Sequence, residues 1–177
     1  MRPERAVTRK PGASAPGTQV NNPRVPEGRH LSHTYPNVLI HCVFSTKERR
    51  PVIPEALVPK LFKYLNGIGS NIQVPVIAAG GTENHVHMLI ALPASITLAK
   101  AMQTFKANSS RWIGEHGIDF AWQHGYAAFS VSASNRDAVL QYINNQADHH
   151  RKRSFEDEFE ALLKKSGVNY DPKFVFG

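Results

Sequence analysis

The sequence predicts an α+β fold: a ferredoxin-like split βαβ antiparallel sheet with helices on one face and extra helices at the C-terminal end. Two observations predict it. Runs of β-branched and aromatic residues alternate with helix-period segments in the order strand, helix, strand, strand, helix, strand, and two further amphipathic helices follow. Such a sheet leaves one face over for a ligand or a second subunit.

Each element has its own signal. Val38 to Phe44 is apolar on both faces and rich in β-branched and aromatic residues, which reads as a buried strand. Pro51 and Pro54 break the chain, and Ala56 to Ile68 carries Leu57, Leu61, Tyr64, Leu65 and Ile68 at helical spacing. Val74 to Ala79 gives a second strand, the Gly80-Gly81 pair turns it, and His85 to Leu92 returns as the third strand of a hairpin. Ile96 to His116 aligns Leu98, Met102, Phe105, Ser109, Trp112 and Ile113 on one side and stops at Gly114 or Gly117. Tyr126 to Val131 is the fourth strand. Ser134 with Asp137 predicts a capping box that opens a helix running to about His150, and Ser154 with Asp157 opens a last helix ending near Gly167.

The 177 residues, 41% of them hydrophobic, suffice for one domain plus a tail. Residues 1–34 hold five of the twelve prolines, with six Lys/Arg against two Glu, and read as a disordered basic arm carrying +4 of the total +7. The domain is assigned to residues 35–177. The basic balance favours anionic partners such as nucleic acid. A single cysteine, Cys42, excludes a disulfide scaffold and a cysteine-rich finger. Apolar runs fall short of the roughly 20 residues of a membrane span, and the expectation is a soluble, cytoplasmic protein.

Two constellations carry chemistry. His85 and His87 alternate on the third strand, so they project from one face about 7 Å apart at Cα, and two imidazoles can converge on one ion. Val86, Met88, Ile90 and Leu92 then point to the opposite face. The same spacing also suits two ordinary strand histidines. On the following helix Tyr142 and Gln146 lie four apart and project together, with Val139, Leu140 and Ile143 toward the core. A phenol beside an amide oxygen supplies a nucleophile and a metal oxygen; the alternative is a half-buried tyrosine and a solvated glutamine.

Taken in order, residues 35–52 (YPNVLIHCVFSTKERRPV), 85–90 (HVHMLI), 105–113 (FKANSSRWI), 122–126 (WQHGY) and 141–146 (QYINNQ) resemble the single-tyrosine HUH transposases of small bacterial insertion sequences and their REP-associated relatives. The resemblance implies a ferredoxin-like domain that acts as a homodimer on single-stranded DNA with hairpin ends. It implies cleavage without hydrolysis, through a 5′-phosphotyrosine on Tyr142, with His85, His87 and Gln146 holding the metal and no nucleotide cofactor. Mg²⁺ or Mn²⁺ suits such a site, imidazole favouring Mn²⁺. Many relatives carry an acidic residue before the first histidine, where this chain has Asn84 preceded by Glu83. Whether Tyr142 serves its own subunit or a partner stays open at this level.

Other residues have plainer readings. Arg49, Arg50, Lys106, Arg111, Arg151, Lys152 and Arg153 are exposed charges or DNA contacts. Trp112, Trp122 and Phe129 read as core, His41 as a satisfied residue of a buried strand, and Cys42 as packing. His149 and His150, seven and eight positions past Tyr142, lie about two helical turns away, out of reach of its hydroxyl. Three rival functions fit the same residues: a ferredoxin-like DNA- or RNA-binding module without chemistry, a metal-dependent hydrolase or nuclease with a water nucleophile, and a structural homodimer only.

Overall fold

The computed structural model describes residues 35–150, 153–171 and 175, and of residues 147 and 149 the backbone. The basic arm assigned to residues 1–34, and with it the boundary at residue 35, lies outside the described residues. Four strands, β1 (Leu39–Ser45), β2 (Val76–Gly81), β3 (His85–Ala91) and β4 (Ala127–Val131), form one antiparallel sheet in the order β2-β3-β1-β4. Helices α1 (Val58–Asn71) and α2 (Leu98–Gly114) follow the ferredoxin-like order, and α3 (Arg136–Asn144), α4 (Gln146–His150) and α5 (Phe155–Lys165) follow β4.

Alternation along the strands divides the sheet. Ile40, Cys42 and Phe44 of β1 with Val86, Met88 and Ile90 of β3 pack on Leu61, Leu65 and Ile68 of α1 and on Met102, Phe105 and Ile113 of α2. Burial of this set is the main hydrophobic term of the fold, each side chain contributing about 1.5–3 kcal/mol. Cys42 is fully buried here, its thiol pushed up to about 12 by burial. Trp122, edge-on to Phe44 at 4.7 Å, belongs to the same core.

The opposite face is covered, contrary to the expectation of a vacant one. Leu39 and Leu89 pack against Ile143, Leu140 and Tyr142 of α3. Val43 and Phe129 pack against Phe155, Phe159, Leu162 and Leu163 of α5. The C-terminal helices carry apolar stripes of their own and need a partner surface, which this face supplies.

Three local expectations change. Gly80 and Gly81 belong to β2, and residues 82–84 make the turn, closed by the Thr82 N–H donating to the His85 carbonyl. A Cβ at Gly80 would sit 2.0 Å from the Ile143 carbonyl oxygen, so this glycine is spent on the close approach of α3. Ser134 does not cap α3. Its hydroxyl pairs with that of Ser132 at 3.0 Å, residues 133–135 form a 3-10 turn, and the helix starts at Arg136. The helix predicted to run to His150 breaks at Asn145, whose backbone (φ −97°, ψ 15°) leaves the helical region and re-aims α4. At α5 the cap holds: Ser154 Oγ accepts from the Asp157 N–H at 3.2 Å.

Candidate catalytic and metal site

The site lies on the face covered by α3, α4 and α5. The pleat that sends Val86 and Met88 into the main core sends His85 and His87 the other way, where both are fully buried, their rings edge-on at 5.0 Å. His85 is fixed by its neighbour in sequence: Nδ1 lies 2.7 Å from Asn84 Oδ1, while Asn84 Nδ2 donates to the Arg49 carbonyl. That amide orientation makes His85 Nδ1 the donor and leaves Nε2 with its lone pair. Asn84 thus does the orienting work itself.

His85 Nε2 faces Gln146 Oε1 at 3.4 Å. The glutamine is held by its other end, Nε2 donating to Glu158 Oε1 at 2.9 Å, so two lone pairs confront each other across a short gap. Burial, with the His87 and His150 imidazoles beside it, holds His85 well below the usual histidine range, against the opposing pull of the Gln146 oxygen, which would accept a hydrogen from the protonated ring. His41 of β1 approaches His87 from behind, Nε2 to Nδ1, at 3.0 Å. Burial, then the His87 charge, pushes His41 down to about 3.

Tyr142 stands at the edge of this group. It is half-buried, edge-on to His87 at 5.6 Å and to His41 at 5.9 Å, and its hydroxyl donates to Glu158 Oε1. One chain therefore brings Tyr142, His85, His87 and Gln146 together.

Two further residues complete the cluster. Glu158 of α5 is 2% exposed, and Oε2 lies 2.7 Å from His150 Nε2 and 3.7 Å from His87 Nε2. Burial pushes its carboxyl up to about 8. His150, set aside on a straight-helix argument, arrives because of the break at Asn145. Its Nε2 is also 2.9 Å from Gln146 Oε1, and its ring lies 4.4 Å from that of His85. The signal for Glu158 was present in the sequence: it falls on the apolar stripe of α5 between Phe155 and Leu162, where a carboxylate is out of place unless partnered.

The donor set fits a divalent cation. One ligand atom from each of His85, His87, His150 and Glu158 lies within 4.8 Å of all the others, and the Gln146 oxygen borders them. Imidazole nitrogens with carboxylate and amide oxygens match the preferences of Mn²⁺ and its neighbours more closely than those of a purely oxygen-seeking ion.

The basic residues divide. Arg49 pairs with Glu156 of α5 at 2.8 Å. Lys106 Nζ donates to the carbonyls of Gln123, His124 and Gly125 at 2.5–2.9 Å, with burial lowering its pKa, so it clamps a loop instead of offering a free charge. Arg111 donates to Asn108 at 2.9 Å. Arg50 and Arg153 are exposed, and Arg151 and Lys152 lie outside the described residues. Trp112 stacks on Tyr64 at 4.8 Å and Phe129 is buried, both as packing residues.

Comparison with known proteins gives the chain a family. The family model described as IS200-like transposase matches residues 34–146. A Deinococcus radiodurans R1 crystal structure, assigned as a transposase, superposes with TM-score 0.52 at 21% identity over 65% of this chain and 94% of that one. The structure of a REP-associated tyrosine transposase bound to a REP hairpin superposes with TM-score 0.50 at 13% identity over 66% of this chain and 70% of that one. No curated protein matches. The two structures speak for the fold; the family model spans most of the chain and ends at the glutamine that faces His85, and on that match the chain belongs to the IS200-like transposase family.

Proposed function

We propose that this transposase cleaves and rejoins single-stranded DNA through a covalent 5′-phosphotyrosine on Tyr142. The observation that carries the reading is the meeting of a tyrosine hydroxyl, a buried carboxylate and two metal-competent imidazoles on one sheet face within one chain. A nuclease using water has no need of a phenol there.

A phenol has a pKa near 10 and is a weak nucleophile until its proton has somewhere to go. Glu158 Oε1, already accepting the Tyr142 hydrogen, is the nearest base; burial keeps its carboxyl protonated up to about pH 8, and a bound cation beside it would favour the ionised form that the step needs. As the Tyr142 oxygen bonds to phosphorus, the bond to the 3′ oxygen breaks, the phenolic proton passes to Glu158, and the departing 3′ oxygen takes a proton from solvent. The reverse attack, by a 3′-hydroxyl on the phosphotyrosine, rejoins strands with the bond energy retained, so no nucleotide cofactor enters. His85, His87 and Gln146 would hold Mg²⁺ or Mn²⁺, with Glu158 and His150 at its border; the bound cation supplies charge stabilisation at the phosphate. Asn84 keeps His85 in the tautomer that leaves Nε2 available.

The substrate in this reading is single-stranded DNA with hairpin ends, a REP hairpin being what the superposed tyrosine transposase binds. Arg50 and Arg153 are the exposed cations suited to its phosphates. Tyr142 acts on the histidines of its own chain. The test is a denaturing gel of labelled hairpin DNA with protein and Mn²⁺: a covalent protein–DNA band is expected, lost with chelator and in Tyr142→Phe. Free cleaved product from Tyr142→Phe would instead establish a water nucleophile.

A further inference from the structure

His87 presents two nitrogens to two different surroundings. Nε2 faces the donor cluster, 3.7 Å from Glu158 Oε2, and Nδ1 faces His41 Nε2 at 3.0 Å. A neutral imidazole carries one hydrogen, so the group that takes the hydrogen at Nδ1 decides whether Nε2 has a lone pair to give.

We infer that His41 is a positioning residue for the metal site: its Nε2 accepts the Nδ1–H of His87 and thereby holds the ring, and its Nε2 lone pair, toward the donor cluster. This role rests on the proposed reading of His85 and His87 as metal ligands. Sheet register builds it. His41 pairs with Leu89 and His87 with Val43, so the two histidines are diagonal neighbours on one face of the β1–β3 pair, within reach of long side chains. Their rings run nearly parallel, centroids 5.2 Å apart at 28°, which leaves the in-plane nitrogens aimed at each other. His41 is also edge-on to Tyr142 at 5.9 Å, so one side chain fixes the ligand ring and walls the nucleophile. Nor is it buried filler: His41 lines a cleft of about 430 Å³, with Ser130, Asn135 and Lys165 around it, where a hydrocarbon side chain would serve packing as well.

The experiment titrates the full chain with Mn²⁺ alone, without DNA, reading free Mn²⁺ by electron paramagnetic resonance. His41→Phe keeps a flat ring and loses the acceptor; His41→Gln puts an oxygen where Nε2 was. Expected are a Kd raised about 10–100-fold in His41→Phe, the range for loss of an orienting partner, and a return to within about threefold of wild type in His41→Gln, with unfolding temperatures showing both variants folded. Wild-type affinity in His41→Phe, or equal weakness in both variants, overturns the role. Should His41→Phe fail to fold, the imidazole ¹⁵N spectrum of the wild-type chain with Mg²⁺ decides: a proton on His87 Nδ1 coupled to His41 Nε2 supports it, and a bare His87 Nδ1 overturns it. A wild-type chain that binds no Mn²⁺ refutes the metal site itself. An inert His41→Phe beside a wild type that binds Mn²⁺ removes only this role.

Discussion

Glu158 makes metal-free stability fall with pH where most proteins are flat, and Glu158→Gln should abolish the fall. The carboxyl ordinarily titrates at 4.5 and in the folded chain is raised by burial to about 8. Between those values the folded state holds a proton that the unfolded state has released, so the unfolding free energy drops by about 1.4 kcal/mol per pH unit. His41, lowered to about 3, and His85, lowered well below 6.5, act in the opposite sense: below 6.5 the unfolded chain binds protons that the folded chain refuses, and stability rises with pH. Above 6.5 each of these histidines still sheds its remaining half proton in the unfolded chain, an opposing gain of about 0.4 kcal/mol apiece. Between about 6.5 and 8 Glu158 contributes a loss of roughly 1.6 kcal/mol, which leaves a net fall of roughly 1 kcal/mol. Urea unfolding of the full chain in chelator should show the midpoint falling by about 0.5 M across that window, for a denaturant slope near 2 kcal/mol/M. Glu158→Gln should show no such fall, and saturating Mn²⁺ should flatten the wild-type curve, because a cation beside the carboxylate favours its charged form. Parallel curves for wild type and Glu158→Gln above pH 6.5 would refute the reasoning.

Four other perturbations test the site's construction. Gly80→Ala drives a methyl into the Ile143 carbonyl; it should cost about 1–3 kcal/mol in unfolding free energy and lower the yield of covalent DNA adduct, since Tyr142 is the adjacent residue. Gln146→Ala should impair adduct formation less than His85→Ala and recover in part at raised Mn²⁺; equal, unrescued losses would remove Gln146 from the ligand set. Lys106→Met, which forfeits three carbonyl partners, should cost about 2 kcal/mol without changing the salt dependence of DNA binding, whereas Arg50→Ala should reduce that salt slope by about one.

The strand-helix order was legible because each strand is a short β-branched run and α1 and α2 keep clean helical periods. The His85–His87 and Tyr142–Gln146 pairs were legible for the same reason, being local spacings on single elements. What escaped depends on contacts between elements. Gly80 looks like a turn residue in one dimension, and only the Ile143 carbonyl beside it explains its place in β2. Ser134 has capping chemistry, yet its neighbour Ser132 competes for the hydroxyl. His150 was dismissed by rise per residue along a straight helix that bends at Asn145. Glu158 shares no local pattern with the histidines it joins, and its only trace is a charge on an apolar stripe.

Phe155 lies flat over His85, ring centroids 4.5 Å apart at 23°, and closes the cluster on the α5 side with hydrocarbon. In the proposed reaction, an apolar wall on the His85 side would limit the water able to attack a phosphotyrosine and waste the linkage as a dead-end nick. On that reading the aromatic ring would bias the chemistry toward strand exchange over hydrolysis, a partition governed by dryness and independent of any base sequence.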